Sequence, residues 1–358
     1  MKFGTFLLMQ SPSAQSSEEM YARAIEHAQA AEALGFHNVW LAEHHFSTYG
    51  YMGRPVQVAT YIAAKTTRIR VGTAVIVVPL HHPLITAEEI ATLDQLAGGR
   101  VDIGLGRGYQ YYEFERFGLE LDTARRRWDE SIDILLRALT GAPFSYSGKL
   151  FTIPETRVFP RPLQRPHPPI WVTAQSPESV EATVRRGFNL LTGGFGVPVE
   201  RMAEFRRLFD RLIDEVRPEC TPEVGVQRAV YVTDNEADAR DAAEHARWNM
   251  RVTLSLRNHY ERVERGHAIP VPAANEPGTD DLLDRFLVIG TPQTVIRQIS
   301  RLVEAVGINH FNCSFWFGDL DQLRVLRSME LFAREVMPAF TPQGAVLREP
   351  SPPLSVGP

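Results

Sequence analysis

Three stretches of this 358-residue chain set chemically capable side chains directly behind short apolar runs. In Val39-Trp40-Leu41-Ala42-Glu43-His44-His45-Phe46, a strand-like run ends in an acid and two adjacent histidines. Imidazole titrates near neutral pH and serves general acid–base catalysis. Neighbouring residues on a strand face opposite sides, so one histidine of the pair looks into an interior while the other faces a wall. For the same reason the pair makes a poor metal site, which on a strand needs His-x-His spacing. Histidines that only satisfy carbonyls at a strand end are the competing reading.

The second stretch, Val101-Asp102-Ile103-Gly104-Leu105-Gly106-Arg107-Gly108-Tyr109, alternates glycines behind a strand and carries an arginine. Glycines let backbone amides approach a ligand, and a guanidinium fork suits phosphate. The spacing is neither a Walker loop nor a dinucleotide fingerprint, and a tight turn beside a solvated arginine would look the same. The third, Ile170-Trp171-Val172-Thr173-Ala174-Gln175-Ser176-Pro177-Glu178-Ser179, opens a helix whose first turn carries hydroxyls. Free amides and the positive helix end favour an anion there, with an ordinary N-cap as the alternative. An arginine after one strand and a hydroxyl-rich helix start after the next together describe one phosphate clamp.

These segments belong to a regular alternation of apolar runs and amphipathic stretches. Strands are expected at Phe3 to Leu8, Val39 to Ala42, Ile69 to Val77, Val101 to Leu105, Ile170 to Thr173, Asn189 to Leu191, Gly225 to Val232 and Ile308 to Phe315. Helices are expected between and after them, at Glu18 to Leu34, Val56 to Lys65, Thr86 to Leu96, Thr123 to Leu139, Pro177 to Arg186, Val199 to Val216, Glu236 to Val263, Pro292 to Val306 and Leu320 to Val336. Eight strands, each followed by a helix, point to an α/β fold, a closed (β/α)8 TIM barrel, rather than an open Rossmann sheet. Functional residues of such a barrel gather at the carboxyl ends of its strands. One barrel domain is expected over residues 1–340, with a Pro-rich insert at 143–169, a polar candidate lid at 257–285 and a Pro-rich, disordered tail at 341–358.

Composition narrows the partners. The 38 Lys and Arg against 43 Asp and Glu leave a formal charge of −5, the wrong sign for a nucleic-acid or polybasic membrane-surface protein. Two distant cysteines, Cys220 and Cys313, offer no disulfide framework or zinc spacing and fit a reducing cytoplasm. No apolar run approaches the roughly 18 residues of a membrane span. A cytoplasmic protein acting on a small molecule, without metal, is the expectation.

Met1-Lys2-Phe3-Gly4, the run Trp40 to Phe46, Val71-Gly72-Thr73-Ala74, His82-Pro83, Leu93-Asp94-Gln95-Leu96 with Gly99-Arg100, Arg107-Gly108 and Gly290-Thr291-Pro292 occur in an order and spacing that resemble the bacterial luciferase-like flavin monooxygenases, most closely their α subunits. The likeness runs from residue 1 to about 340 and implies a TIM barrel, in line with the strand count. It further implies that His44 is the essential histidine beside the flavin, with His45 its supporting neighbour and Glu113, at a family aspartate, a further catalytic candidate. Arg107 matches the flavin-phosphate arginine, and Gln175, Ser176 and Ser179 fall at the helix-start phosphate contacts, with Gln175 replacing a glutamate. Ala74 and Val75 sit where the family has a non-prolyl cis peptide against the isoalloxazine, and Gly106 stands where the light-emitting enzymes carry a reactive cysteine.

The implied activity is that of a two-component monooxygenase. A separate flavin reductase supplies reduced FMN, O2 adds to give a C4a-hydroperoxyflavin, and a small hydrophobic organic substrate is oxygenated. The aromatic residues Phe46, Tyr49, Tyr51, Tyr109, Tyr111, Tyr112, Phe195, Trp316 and Phe317 near strand ends are candidates to line its pocket. Hydride transfer with the deazaflavin F420, a non-catalytic luciferase-like subunit and a metal-dependent barrel hydrolase are the rivals. The family pairs through the helices after strands two and three, and Ala59, Ala63, Ala64, Ala87 and Ala91 there suggest close packing in a homodimer, or a heterodimer.

Overall fold

In the computed structural model, which describes residues 1–174, 176–194, 196–219, 221–257 and 262–341, the apolar runs pair as a closed parallel barrel. Its first half is β1 (Lys2–Leu7), α1 (Ser17–Ala33), β2 (Asn38–Leu41), α2 (Pro55–Lys65), β3 (Arg70–Val77), α3 (Pro83–Leu96) and β4 (Val101–Gly106). After β4 come two helices, α4 (Tyr111–Arg116) and α5 (Ala124–Thr140), and an antiparallel hairpin of β5 (Phe144–Ser147) and β6 (Thr152–Thr156). The barrel resumes with β7 (Ile170–Thr173), α6 (Pro177–Arg185), β8 (Asn189–Gly193), α7 (Val199–Val216) and β9 (Val224–Val232). A long excursion follows, with α8 (Glu236–Arg257), the hairpin of β10 (Val263–Glu264) and β11 (His267–Ala268), and α9 (Thr279–Arg285). It returns through β12 (Val288–Gly290) to α10 (Pro292–Val306), β13 (His310–Ser314) and α11 (Gln322–Leu331).

Closure runs β1-β2-β3-β4-β7-β8-β9-β13 and back to β1, every pairing parallel. These are the eight expected strands, matched at their ends to within two residues and with no shift at Ile170–Thr173. Strand β12 was not foreseen: three residues long, it pairs with the far half of β9, Val288 against Val230, beyond the stretch that β9 shares with β13. Helices α4 and α9 were also missed, both short, and Val263, the expected end of α8, belongs to β10. The proposed lid therefore carries secondary structure of its own, and residues 258–261 of it lie outside the described residues, as does the tail from 342.

The helices start where the chain supplies acceptors. Ser16 and Glu19 form a reciprocal capping box on α1, and the Thr291 hydroxyl accepts the Thr294 amide ahead of the helix that Pro292 opens. The apolar core fills the shell between strands and helices, with Val39, Leu41, Val71, Ile103 and Leu105 facing Ala28, Ile62 and Ile90. Inside the barrel the filling is different, because Trp40 and Trp171 meet edge to face at 5.6 Å among Asn38 and Asn312. A Cβ on Gly72 would come within 2.5 Å of the Trp40 ring and one on Gly4 within 2.1 Å of Asn38 Oδ1, so glycines make this room. Among the described residues no helix is long and apolar enough to cross a membrane.

Candidate active site

A cavity of about 520 Å³ opens at the carboxyl ends of the strands. It is lined at one side by Glu43, His44, Tyr49 and Glu113, along its length by Ala74, Val75, Gly106 and Asn312, and at the other side by Arg107, Ser176 and Ser179. Eight of the ten residues singled out from the sequence are therefore brought together. His45 is not in this cavity, and Gln175 lies outside the described residues.

Glu43, His44 and His45 follow the end of β2 at Leu41, and the two histidines turn to different partners. His44 faces the cavity, its Nδ1 3.0 Å from Glu113 Oε1, and the same carboxylate oxygen accepts the His45 amide at 2.8 Å. A carboxylate only accepts, so assigning the proton to Nδ1 satisfies this contact and leaves the Nε2 lone pair free. Gln110 Nε2 lies 3.0 Å from the same Nδ1, and a flip of that side-chain amide would set its oxygen there to suit this tautomer. The Tyr49 ring packs against the imidazole at 4.6 Å, and its hydroxyl reaches Thr253 Oγ1 on α8 at 3.0 Å.

His45 turns the other way. Its Nε2 lies 2.9 Å from Glu43 Oε1, which also takes His81 Nε2 at 2.7 Å, while Oε2 accepts the Val77 amide at 2.9 Å. Burial alone would raise the Glu43 carboxyl, but the hydrogen bonds from His45, His81 and Val77 outweigh it and hold it at about 2. Arg54 donates to His81 Nδ1 at 3.0 Å, which makes His81 the neutral Nε2–H tautomer. Glu43 thus ties the end of β2 to the end of β3, two residues beyond the cis Ala74–Val75 peptide. The sequence showed this acid but gave it no role, because its partners come from separate elements.

At the opposite side, Arg107 makes no hydrogen bond or ion pair among the described residues and is exposed. Arg125 and Arg186, which the sequence did not mark, line the same cavity and reach only the partly exposed carboxylates Asp129 and Asp133. Ser176 and Ser179 cap each other, Ser179 N donating to Ser176 Oγ and Ser176 N to Ser179 Oγ at 3.0 Å. The ordinary N-cap reading therefore holds for these two serines, and each hydroxyl still lines the cavity. Gly106 is required by packing, since a Cβ there would stand 2.3 Å from Val75 Cγ2. The neighbouring loop after β8 is anchored from behind by the fully buried Arg228, which donates to the carbonyls of Gly194 and Val197.

Of the aromatic candidates, Tyr49 and Tyr109 line the cavity. Trp316 and Phe317 are core residues, Phe46 and Tyr51 line a separate hollow, Tyr111 and Tyr112 lie on α4 outside the cavity wall, and Phe195 is outside the described residues. Ala59, Ala63, Ala87 and Ala91 are buried within the chain, so they pack α2 and α3 onto the barrel and do not present a free face. Among the described residues no three His, Cys, Asp or Glu side chains gather as a metal site.

The cavity suits an anionic molecule: it gathers the small residues Ala74, Val75 and Gly106, cations and hydroxyls after β4 and β7, and an imidazole after β2. The family model described as luciferase-like monooxygenase matches residues 1–310. The oxygenase component of a flavin-dependent trigonelline monooxygenase from Acinetobacter baylyi is 31% identical over 95% of this chain and 96% of its own. The alkanal monooxygenase alpha chain of the Kryptophanaron alfredi symbiont is 26% identical over 94% and 98%. A monooxygenase structure from Streptomyces bottropensis superposes with a TM-score of 0.85 at 26% identity, covering 95% of this chain and all of that one. A secondary alcohol dehydrogenase dependent on F420, 20% identical with a TM-score of 0.74 over 95% and 99%, shares the fold.

Proposed function

The chain belongs to the luciferase-like monooxygenase family, and from that premise we propose that it is the FMN-dependent oxygenase component of a two-component system acting on a small hydrophobic organic substrate. The observation that carries the reading is that one cavity joins an arginine and a histidine Nε2 that are both without a partner among the described residues. Arg107, with Arg125, Arg186 and the hydroxyls at the start of α6, would hold the FMN phosphate. Ala74, Val75 and Gly106 would flank the ring system along the length of the cavity. Reduced FMN, delivered by a separate reductase, supplies the electrons with which O2 is activated.

The protein's own part is orientation, proton handling and exclusion of water. Glu113 holds His44 from behind at Nδ1, so that Nε2 can give or take a proton at the reacting end of the substrate. Glu43 and His45 keep the backbone on either side of His44 in place. Between β11 and α9 the excursion is tied to α8 at Glu276, which takes two hydrogen bonds of 2.8 Å from Arg251 and one of 2.7 Å from Arg247, and this excursion is the proposed cover that would exclude water. A dimer is proposed through the face that α2 and α3 leave open, where Tyr61, Ile85 and Leu96 are exposed. A second copy of this chain is the partner favoured, with a related subunit as the alternative.

Rapid mixing of protein carrying reduced FMN with oxygenated buffer tests the activity. The expected result is a return of oxidised-flavin absorbance that is delayed relative to free reduced FMN. Reoxidation at the free-flavin rate, together with tight binding of reduced F420, would transfer the assignment to hydride chemistry.

A further inference from the structure

Beside the main cavity lies a second hollow of about 390 Å³, between the loop that follows β2 and the β10–β11 turn. His44 lines both spaces, so the hollow is the neighbouring compartment of the reacting histidine. Two hydrogen bonds lock its walls together, Thr48 N to Gly266 O at 2.8 Å and Ala268 N to Thr48 Oγ1 at 3.0 Å. A Cβ on Gly50 would stand 2.9 Å from His44 Cβ, and one on Gly53 would stand 3.1 Å from His45 Nδ1. Glycines on the loop therefore bring backbone directly onto both histidines.

The charge of the hollow is one-sided. Among the described residues its ionisable lining is Arg265, His267, His44, His45 and the Tyr51 phenol, with no carboxylate. Among the described acids around it, Glu43 and Glu113 accept from the histidines and the backbone behind the wall, and Glu264 pairs with Arg262 at 2.9 Å. Arg265 makes no ion pair among the described residues. It also sits at φ 52°, and the other described non-glycine residues at positive φ are Met9, Ala14 and Phe46. Ala14 and Phe46 line the same hollow, and Met9 accepts the amide of Tyr51 on its wall. Backbone of this kind persists where the surroundings enforce it, and here it surrounds one space.

We infer that this hollow is the binding compartment for a substrate bearing a carboxylate, which Arg265 pairs while the reacting end of the molecule reaches His44. The inference rests on the oxygenase reading above for the reaction, but not for the binding. A single guanidinium suits a monoanion, whereas the phosphate dianion of a flavin finds three arginines and two hydroxyls at the far end of the main cavity.

Binding of benzoate, benzamide and phenyl phosphate to the full-length, FMN-loaded protein, measured by calorimetry, tests the assignment without turnover. Benzoate is expected to bind more tightly than benzamide by about tenfold, as a charge-assisted hydrogen bond implies. Arg265→Asn, chosen because asparagine tolerates positive φ, should abolish that preference and leave the FMN affinity and melting temperature unchanged, and Arg265→Lys should restore part of it. Equal binding of benzoate and benzamide, or a preference that survives in Arg265→Asn, overturns the proposal. So does phenyl phosphate binding more tightly than benzoate through Arg265. If benzoate selectivity depends on Arg265 while the mixing experiment shows no delay, the compartment stands and the oxygenase assignment falls.

Discussion

The two ends of the barrel treat charge in opposite ways. At the amino-terminal end of the strands, Lys2 and His310 both meet Glu223, at 2.5 and 2.9 Å, and Arg70 grips Asp102 at 2.8 Å. At the carboxyl end, Arg107 and Arg265 have no acidic partner among the described residues, and the histidine wall presents an uncommitted nitrogen. Charges that close on one another hold strands in place. Charges left open cost solvation when covered, and they are compensated only when something of opposite sign arrives.

The largest test of this division is at His44. Replacing it with alanine should lower turnover by about 10² to 10⁴, the range for a lost general acid or base, while leaving FMN titrations unchanged. His310→Ala, at the closed end, should lower the melting temperature and spare turnover. Equal loss of turnover in both variants would erase the distinction. Next comes Arg107→Ala, expected to weaken FMN binding by about 1.5–3 kcal/mol, with a dependence on salt that fluorescence titration would reveal. Arg70→Ala should destabilise the fold with no change in FMN affinity.

The smallest effect is at the closed end in acid. The His310 hydrogen bond holds the Glu223 carboxyl at about 2, helped by Lys2 against the opposing effect of burial. Its folded value is below the unfolded one, so its stabilisation is complete above about pH 4.5 and is lost as the pH falls toward about 2. Glu43 behaves alike, with burial overcome by its hydrogen bonds. Chemical denaturation as a function of pH should show stability falling through that window. Glu223→Gln should flatten part of the fall and cost about 0.5–1.5 kcal/mol at neutral pH, the worth of a partly exposed hydrogen-bonded pair.

The barrel was legible because most of its strands are short, largely buried apolar runs and the longer helices repeat with their own period, as at Val199–Val216 and Pro292–Val306, where predicted and observed limits coincide. What escaped is short or held by distant partners. Strand β12 contributes three residues, and Tyr111–Arg116 and Thr279–Arg285 are too brief to show a period. Within the site, residues following strands were visible as departures from apolar pattern. Arg125 and Arg186 were not, because they lie on helical stretches among other charged residues and only the fold turns them toward the cavity. That only one of the two histidines would reach the cavity was expected, but they lie beyond the strand, and that Glu43 joins His45 to His81 needed coordinates.

The double use of β9 has a consequence for how such proteins diversify. Its first half closes the barrel with β13, while its second half pairs with β12, and Thr233 N donates to Gly290 O at 3.0 Å. Everything between those two points, including Thr253 behind Tyr49 and Arg265 in the hollow, leaves one strand and comes back to it. The two junctions of this cassette are hydrogen-bonded neighbours, so lengthening, shortening or exchanging its contents leaves the ring of eight strands intact. Transplanting residues 234–287 between relatives would then move substrate preference as a unit, while the arginine and serine side of the cavity, built after β4 and β7, stays with the recipient.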